Sequence, residues 1–125
     1  MRVVDSSAWI EWLLESPTGN RLGAKMPARE KCIVPTIVQL ELAKWLGREI
    51  GEAAVDNFFA FTARCIVIPL DTALARSAAE IAASHKLAIA DAIIYATGLQ
   101  QGADILTCDA HFNGLRNVVY IQKHS

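Results

Sequence analysis

The sequence predicts an α/β domain of three layers, in which helices cover a parallel sheet. Short apolar runs alternate along the chain with longer segments of helical periodicity, the pattern of strands joined by right-handed crossovers. Acids follow directly on two of those runs, at Asp5 and Asp109. The 125 residues are 53% hydrophobic and 20% charged, enough for one real core, so a single domain spanning 1–125 is expected.

Arg2-Val3-Val4 reads as the first strand, with Asp5-Ser6-Ser7 at its carboxyl end. Ser7 is placed to cap a helix whose apolar stripe is Trp9, Ile10, Trp12, Leu13 and Leu14, ending at Ser16-Pro17. Thr18 to Met26 fits a second short helix weakened by Gly19 and Gly23, and Pro27 to Lys31 is a polar connector. Cys32-Ile33-Val34 is the next strand, stopped by Pro35. Thr36 then caps a helix from Ile37 to Arg48 with Val38, Leu42 and Trp45 on one apolar line. After Gly51, Glu52 to Arg64 reads as a helix carrying Val55, Phe58, Phe59 and Phe61.

Cys65 to Ile68 is the third strand, ended by Pro69. Asp71 caps a helix running to Lys86, with Leu74, Ala78, Ile81 and Ala82 inward. Leu87 to Leu99 is almost wholly apolar, with Asp91 its sole charge, and therefore reads as a helix buried on most sides. An acid there belongs in the first helical turn, where free backbone N–H groups favour an anion. Gly102 closes that helix, Ala103 to Thr107 is a buried strand ending at Cys108-Asp109, and Val118 to Ile121 is the last strand. Gln122 to Ser125 is expected to fray.

A net charge of -1 provides no overall basic footprint of the kind many nucleic-acid binders carry. Setting aside Asp5, Glu41, Asp91 and Asp109 as a cluster neutralised by metal leaves 9 acids against 12 Lys+Arg, a balance of +3. Cys32, Cys65 and Cys108 show no zinc spacing and read as buried thiols of a reducing cytoplasm. No signal-peptide core and no membrane-spanning run is expected.

In an open parallel sheet all carboxyl ends lie on one edge, so Asp5 and Asp109 should meet in the crevice where strand order reverses. Asp91 and Glu41 are drawn to the same place. Carboxylates a few ångströms apart raise each other's pKa, and a divalent cation is the usual remedy. Oxygen ligands without a His or Cys set point to Mg²⁺ or Mn²⁺, which can activate water and stabilise charge on a phosphodiester. Taken singly, each acid also has a structural reading as a cap or a surface ion-pair partner. His85, His111 and His124 are dispersed and expected to face solvent, with only His111 beside a site acid. Glu41, Lys44 and Arg48 share one side of their helix, so a basic line would guide a phosphate backbone toward the acids.

Four stretches, Val3 to Trp9, Pro35 to Glu41, Ala88 to Ile94 and Leu106 to Phe112, resemble the PIN-domain ribonucleases, and among these the VapC-type toxins of bacterial toxin–antitoxin pairs. The resemblance spans essentially the whole chain. It implies an α/β/α domain with a five-stranded parallel sheet and a Mg²⁺- or Mn²⁺-dependent endoribonuclease site. By motif matching it makes Asp5 and Asp91 the most direct metal ligands, with Glu41 and Asp109 completing the pocket. Ser6 or Ser7 and Thr107 would orient waters or carboxylates. It also implies a homodimer and a small cognate antitoxin covering an apolar groove. Trp9, Trp12, Leu13, Phe58, Phe59 and Phe61 are more large apolar side chains than one small core easily hides.

Two other readings compete. A phosphoacceptor receiver domain has similar length and alternation, with Asp71 as acceptor and Thr107 as switch hydroxyl, but it leaves Glu41 and Asp91 without a role. A non-catalytic module could instead recognise RNA or protein through Lys44, Arg48 and the Trp9/Trp12 face.

Overall fold

A computed structural model describes residues 1–123; the expectations placed on His124 and Ser125 lie outside them. The strands are β1 Arg2–Val4, β2 Cys32–Pro35, β3 Ile66–Ile68, β4 Asp104–Thr107 and β5 Val118–Tyr120. The helices are α1 Ser6–Leu13, α2 Pro17–Leu22, α3 Thr36–Glu49, α4 Glu52–Thr62, α5 Thr72–His85 and α6 Ile89–Gln101. All five strands are parallel, in the order β3-β2-β1-β4-β5. The chain steps outward from β1 to β3, then α5 and α6 carry it back across to β4. Right-handed crossovers put the helices of those two legs on opposite faces, which makes the three layers. The receiver-type order 2-1-3-4-5 is not this one.

Short strands suffice because nearly every central side chain is buried: Val3 and Val4 on β1, Ile33 and Val34 on β2, Ile105 and Leu106 on β4. Val3 lies level with both Ile33 and Ile105, so three branched side chains form one row across the sheet. At the amino end of the same strands, Arg2 donates to both carboxylate oxygens of Asp104 at 2.8 and 3.0 Å, fixing the β1/β4 register. α6 lies between the sheet and α5, and its residues Ala92 to Gly98 are all buried. Gly98 allows that closeness, since a Cβ there would sit 3.0 Å from the Ile105 side chain. Gly102 ends the helix in the left-handed conformation at φ 64°.

The expected elements recur with local corrections. Ser7 does not cap α1; Asp5 holds that position, and neither provides a side-chain cap, because both side chains are committed elsewhere. Thr36 is likewise the first residue of α3, not its cap, and its hydroxyl accepts from the Leu70 N–H at 3.3 Å. The helix expected over Thr18 to Met26 is α2 followed by a 3₁₀ turn at Gly23–Lys25, and the polar connector contains a second such turn at Arg29–Lys31. Leu46, one turn beyond Leu42, takes the buried place expected of Trp45, which is only half-buried. Pro35 ends β2 from inside it. Asp71 does cap α5, accepting from Leu74 N–H at 2.9 Å, so it has a structural task and not a receiver's. Gln122 is tied down, because its carbonyl accepts from the Arg21 guanidinium.

Trp9 is fully buried and meets Trp12, Phe58 and Phe61 edge-on, with ring centroids 5.8, 5.3 and 5.9 Å away. The aromatic excess read from the sequence is thus split. Trp9 and Phe58 are core, Trp12 and Phe61 half-buried, while Leu13 and Phe59 are exposed at 37% and 40%.

Gly19 marks a close approach of α2 to the backbone of α1: a Cβ at this position would lie 2.0 Å from the Glu11 carbonyl oxygen. Backbone cannot step aside as a flexible side chain can. Gly19→Ala should therefore destabilise by about 1–3 kcal/mol or more in chemical denaturation, while Gly23→Ala, with open space around it, should be near neutral.

Candidate active site

The strand order reverses between β1 and β4, and the site is built where those two strands end. Asp5 follows β1 directly, and its N–H donates to the Leu106 carbonyl at 2.9 Å, so the pairing continues into the site. Asp109 lies two residues past β4. Asp91 is the third residue of α6 and Glu41 sits in the second turn of α3. These four acids influence one another electrostatically, so the elements that the sequence assigned to one edge do bring them together.

Hydroxyls hold the acids in place. Oδ2 of Asp5 accepts from Ser7 Oγ at 2.6 Å and from Thr107 Oγ1 at 2.8 Å. Those hydroxyls accept in turn from the backbone N–H groups of Cys108 at 3.0 Å and Asp109 at 2.9 Å. Two amide dipoles at the end of β4 are thereby relayed onto the carboxylate of β1. Ser6 donates to Glu41 Oε1 at 2.7 Å. Ser6, Ser7 and Thr107 thus each donate to a carboxylate of the cluster.

Charge is nevertheless in excess. Asp5 is only 3% exposed, and burial pushes its carboxyl up, against the pull of Ser7 and Thr107. Glu41 is raised by burial and then by Asp5 and Asp109, against Ser6. Asp91 is pushed up to about 6 by burial, then by Asp109 and Asp5, and His111 only partly offsets this. The favourable first turn of α6 loses to desolvation and like charge. Among the described residues no Lys or Arg pairs with any of the four. Two acids and one imidazole, those of Asp91, Asp109 and His111, offer ligand atoms within 4.8 Å of one another. This donor set and its unneutralised charge fit a divalent cation. Asp5 and Glu41 lie outside that tight group.

His111 is the residue the sequence reading undervalued. It is exposed, as expected, but its Nδ1 lies 2.9 Å from Asp109 Oδ1 and 3.9 Å from Asp91 Oδ2. A 3₁₀ turn at Ala110–Phe112 folds it back, with Asp109 capping that turn by accepting from the His111 N–H at 2.9 Å. The signal was the two-residue spacing to Asp109. Asp109 is therefore both a cap and a member of the cluster. Lys44 and Arg48 lie on the exposed face of α3 three and seven residues beyond Glu41. Arg48 pairs with the adjacent Glu49 at 2.9 Å, a surface contact worth little, and Lys44 has no ion pair among the described residues. Cys32 and Cys108 are buried and Cys65 half-buried. Burial pushes the Cys108 thiol up to about 11, leaving it unsuited to be a nucleophile beside the acids.

The raised acids set the pH response of the cation-free fold. A carboxyl whose pKa is 3.8 unfolded and about 6 folded keeps a proton that the unfolded chain releases, so its stabilisation is present at low pH and lost as pH rises through about 6. Asp5 and Glu41 act in the same direction. In chelator, the melting temperature should be higher near about pH 5 than about pH 7.5. A value that is flat or climbs over that window would contradict the crowding.

A family model described as PIN domain matches residues 2–117. No curated protein matches the sequence. Among solved structures, a toxin–antitoxin complex from Klebsiella pneumoniae superposes with a TM-score of 0.82 at 17% identity, over 95% of this chain and 96% of that one. VapC20 of Mycobacterium tuberculosis, a toxin that cleaves the sarcin–ricin loop, gives 0.79 at 20% identity over 98% and 100%. FitAB bound to a DNA fragment gives 0.75 at 19% identity over the whole of both chains. At these identities the likeness is one of fold, and it agrees with the strand order and with the family match. The chain belongs to the PIN-domain family.

Proposed function

We propose that this protein is a Mg²⁺- or Mn²⁺-dependent endoribonuclease acting as the toxin of a toxin–antitoxin pair in the cytoplasm. The observation that carries the reading is the meeting of Asp5, Glu41, Asp91 and Asp109 at the β1/β4 switch, with no basic side chain to neutralise them among the described residues. A divalent cation bound there supplies a water of lowered pKa and charge neutralisation at the phosphodiester. The chain's own residues do the rest. Ser7 and Thr107 hold one oxygen of Asp5 and so fix its carboxylate for a cation, and Ser6 orients Glu41 in the same way. Asp91 and Asp109 add two half-buried carboxylates, and Lys44 and Arg48 place the RNA backbone along α3.

The substrate class is RNA with an accessible loop, since its bases must be splayed to be recognised. The loop-cleaving activity named for the Mycobacterium tuberculosis neighbour supports this choice. The partner is an antitoxin whose apolar segment fills the groove lined by Trp12, Leu13, Leu46, Ile50, Phe58 and Phe61, and the toxin–antitoxin complexes among the structural neighbours support it. Exposed Leu70 and Ile89, on an apolar face with Ala75 and Ala79, are suited to a homodimer contact.

Asp5→Asn keeps an oxygen that can accept both hydroxyl bonds, so the cation-free variant should melt at or above the parent's temperature. It should gain little on adding Mg²⁺, whereas the parent is stabilised by mass action, and it should not cleave RNA. Equal Mg²⁺-induced shifts in parent and variant would remove Asp5 from the ligands. Cleavage by the parent that survives chelator would sink the metal-dependent reading. Lys44→Ala with Arg48→Ala should weaken binding across RNA sequences and lower the salt slope by about 0.7–0.9 for each phosphate no longer neutralised, an unchanged slope counting against the basic line. Light scattering should find a dimer of the isolated protein, and a hydrophobic dye that binds it should be displaced by its antitoxin. A monomer that binds no dye would overturn both partner assignments.

A further inference from the structure

We propose that His111 supplies a nitrogen ligand beside Asp91 and Asp109, so that the centre takes Mn²⁺ in preference to Mg²⁺. The inference rests on the reading of the acidic pocket as a divalent-cation site, and it concerns which cation that site selects.

Two pieces of chain deliver the donors: the first turn of α6 carries Asp91, and the 3₁₀ turn after β4 carries His111 with Asp109 as its cap. An octahedral cation with bonds near 2.1 Å has neighbouring donors about 3 Å apart and opposite donors about 4.2 Å apart. His111 Nδ1 stands 2.9 Å from Asp109 Oδ1, the spacing of neighbours, and 3.9 Å from Asp91 Oδ2, close to that of opposites. Both distances from the imidazole nitrogen are therefore close to those of a coordination sphere before any cation enters, and the three ligand atoms all lie within 4.8 Å of one another. Without a cation, the 2.9 Å approach is that of an Nδ1–H donating to the carboxylate. Ligation requires the other tautomer, with the proton on Nε2. The imidazole side chain is 79% exposed, so Nε2–H can be solvated by water and the change of tautomer strands no buried group.

Chemistry then decides the cation. Mg²⁺ is a hard ion that favours oxygen and water, whereas imidazole nitrogen favours the first-row transition series. A pocket of four carboxylates alone would accept either ion. Replacing one oxygen donor by nitrogen tilts it towards Mn²⁺, which tolerates carboxylate and imidazole together. The turn that presents the ring is held by Asp109 through the His111 N–H and anchored by fully buried Phe112, so the ring is positioned by the fold and not by a mobile loop.

The test is titration calorimetry of the full chain with MnCl₂ and with MgCl₂, together with electron spin-echo measurements on the Mn²⁺-loaded protein. The parent should show coupling of Mn²⁺ to an imidazole nitrogen. His111→Ala should lose that coupling and about tenfold of its Mn²⁺ affinity, with a smaller loss for Mg²⁺. His111→Asp should recover affinity through oxygen while its Mn²⁺/Mg²⁺ ratio falls towards that of an all-oxygen site. The exposed side chain makes both variants compatible with folding, which circular dichroism checks. No nitrogen coupling in the parent, or an unchanged Mn²⁺/Mg²⁺ ratio in both variants, overturns the inference. If RNA cleavage by the parent then still depends on a divalent cation, the proposed function stands without it. Absence of binding by either ion overturns both.

Discussion

Everything at the carboxyl edge of this sheet depends on holding like charges closer than they would settle in water. Asp5 is the centre of that arrangement. Its buried carboxylate is tolerated because two hydroxyls donate to one oxygen, and because each hydroxyl is itself polarised by a backbone N–H at the end of β4. The network that supports the charge is also what joins the ends of β1 and β4. Fold and site share these atoms, which explains why Ser7 and Asp5 are not available for ordinary capping of α1.

Two acids around β4 differ in whether their charge is settled inside the protein. Asp104 and Asp109 stand at opposite ends of the same strand region. Asp104 is matched by the guanidinium of Arg2 in a two-point contact, so its charge is settled inside the molecule. Asp109 is crowded by Asp5, Glu41 and Asp91, and it is met by the backbone N–H and the imidazole of His111 and, among the described residues, by no Lys or Arg. The amino edge of the sheet is thus neutralised internally, whereas the carboxyl edge is left with a charge that an external cation can satisfy. Leaving these acids without an internal counter-charge costs stability but keeps their oxygens available.

Helix placement follows from the same topology. α6 must cross the sheet to return the chain past β1, so it is buried on both sides and consists almost wholly of small and apolar residues. Its first turn emerges at the switch point and brings Asp91 with it. On the other leg, α1, α3 and α4 gather the aromatic side chains, burying Trp9 and Phe58 but leaving the edge around Leu13 and Ile50 open. One face of the molecule therefore carries concentrated charge, while another carries uncovered apolar surface. No helix among the described residues is long and apolar enough to cross a membrane.

By itself the sequence determined the alternation of strands and helices, the burial of α6 and the position of Asp5, Asp91 and Asp109 beside the start or end of an element. Those follow from hydrophobic periodicity and from the residues that interrupt it, both of which are local. The four acids of the candidate site stand out in the sequence for the same reason: each is an ionisable side chain beside an apolar run. What only the tertiary structure decided were the partners of each polar group. Ser7 and Thr36 look like caps from their neighbours, but long-range contacts with Thr107 and with Leu70 redirect their hydroxyls. Gly19 looks like a helix weakener until α1 is seen lying against it. His111 looks like a surface histidine until a 3₁₀ turn folds it onto Asp109. Periodicity records which side of an element is apolar, whereas hydrogen bonding and close approach depend on the relative placement of elements far apart in the chain, and only packing sets that.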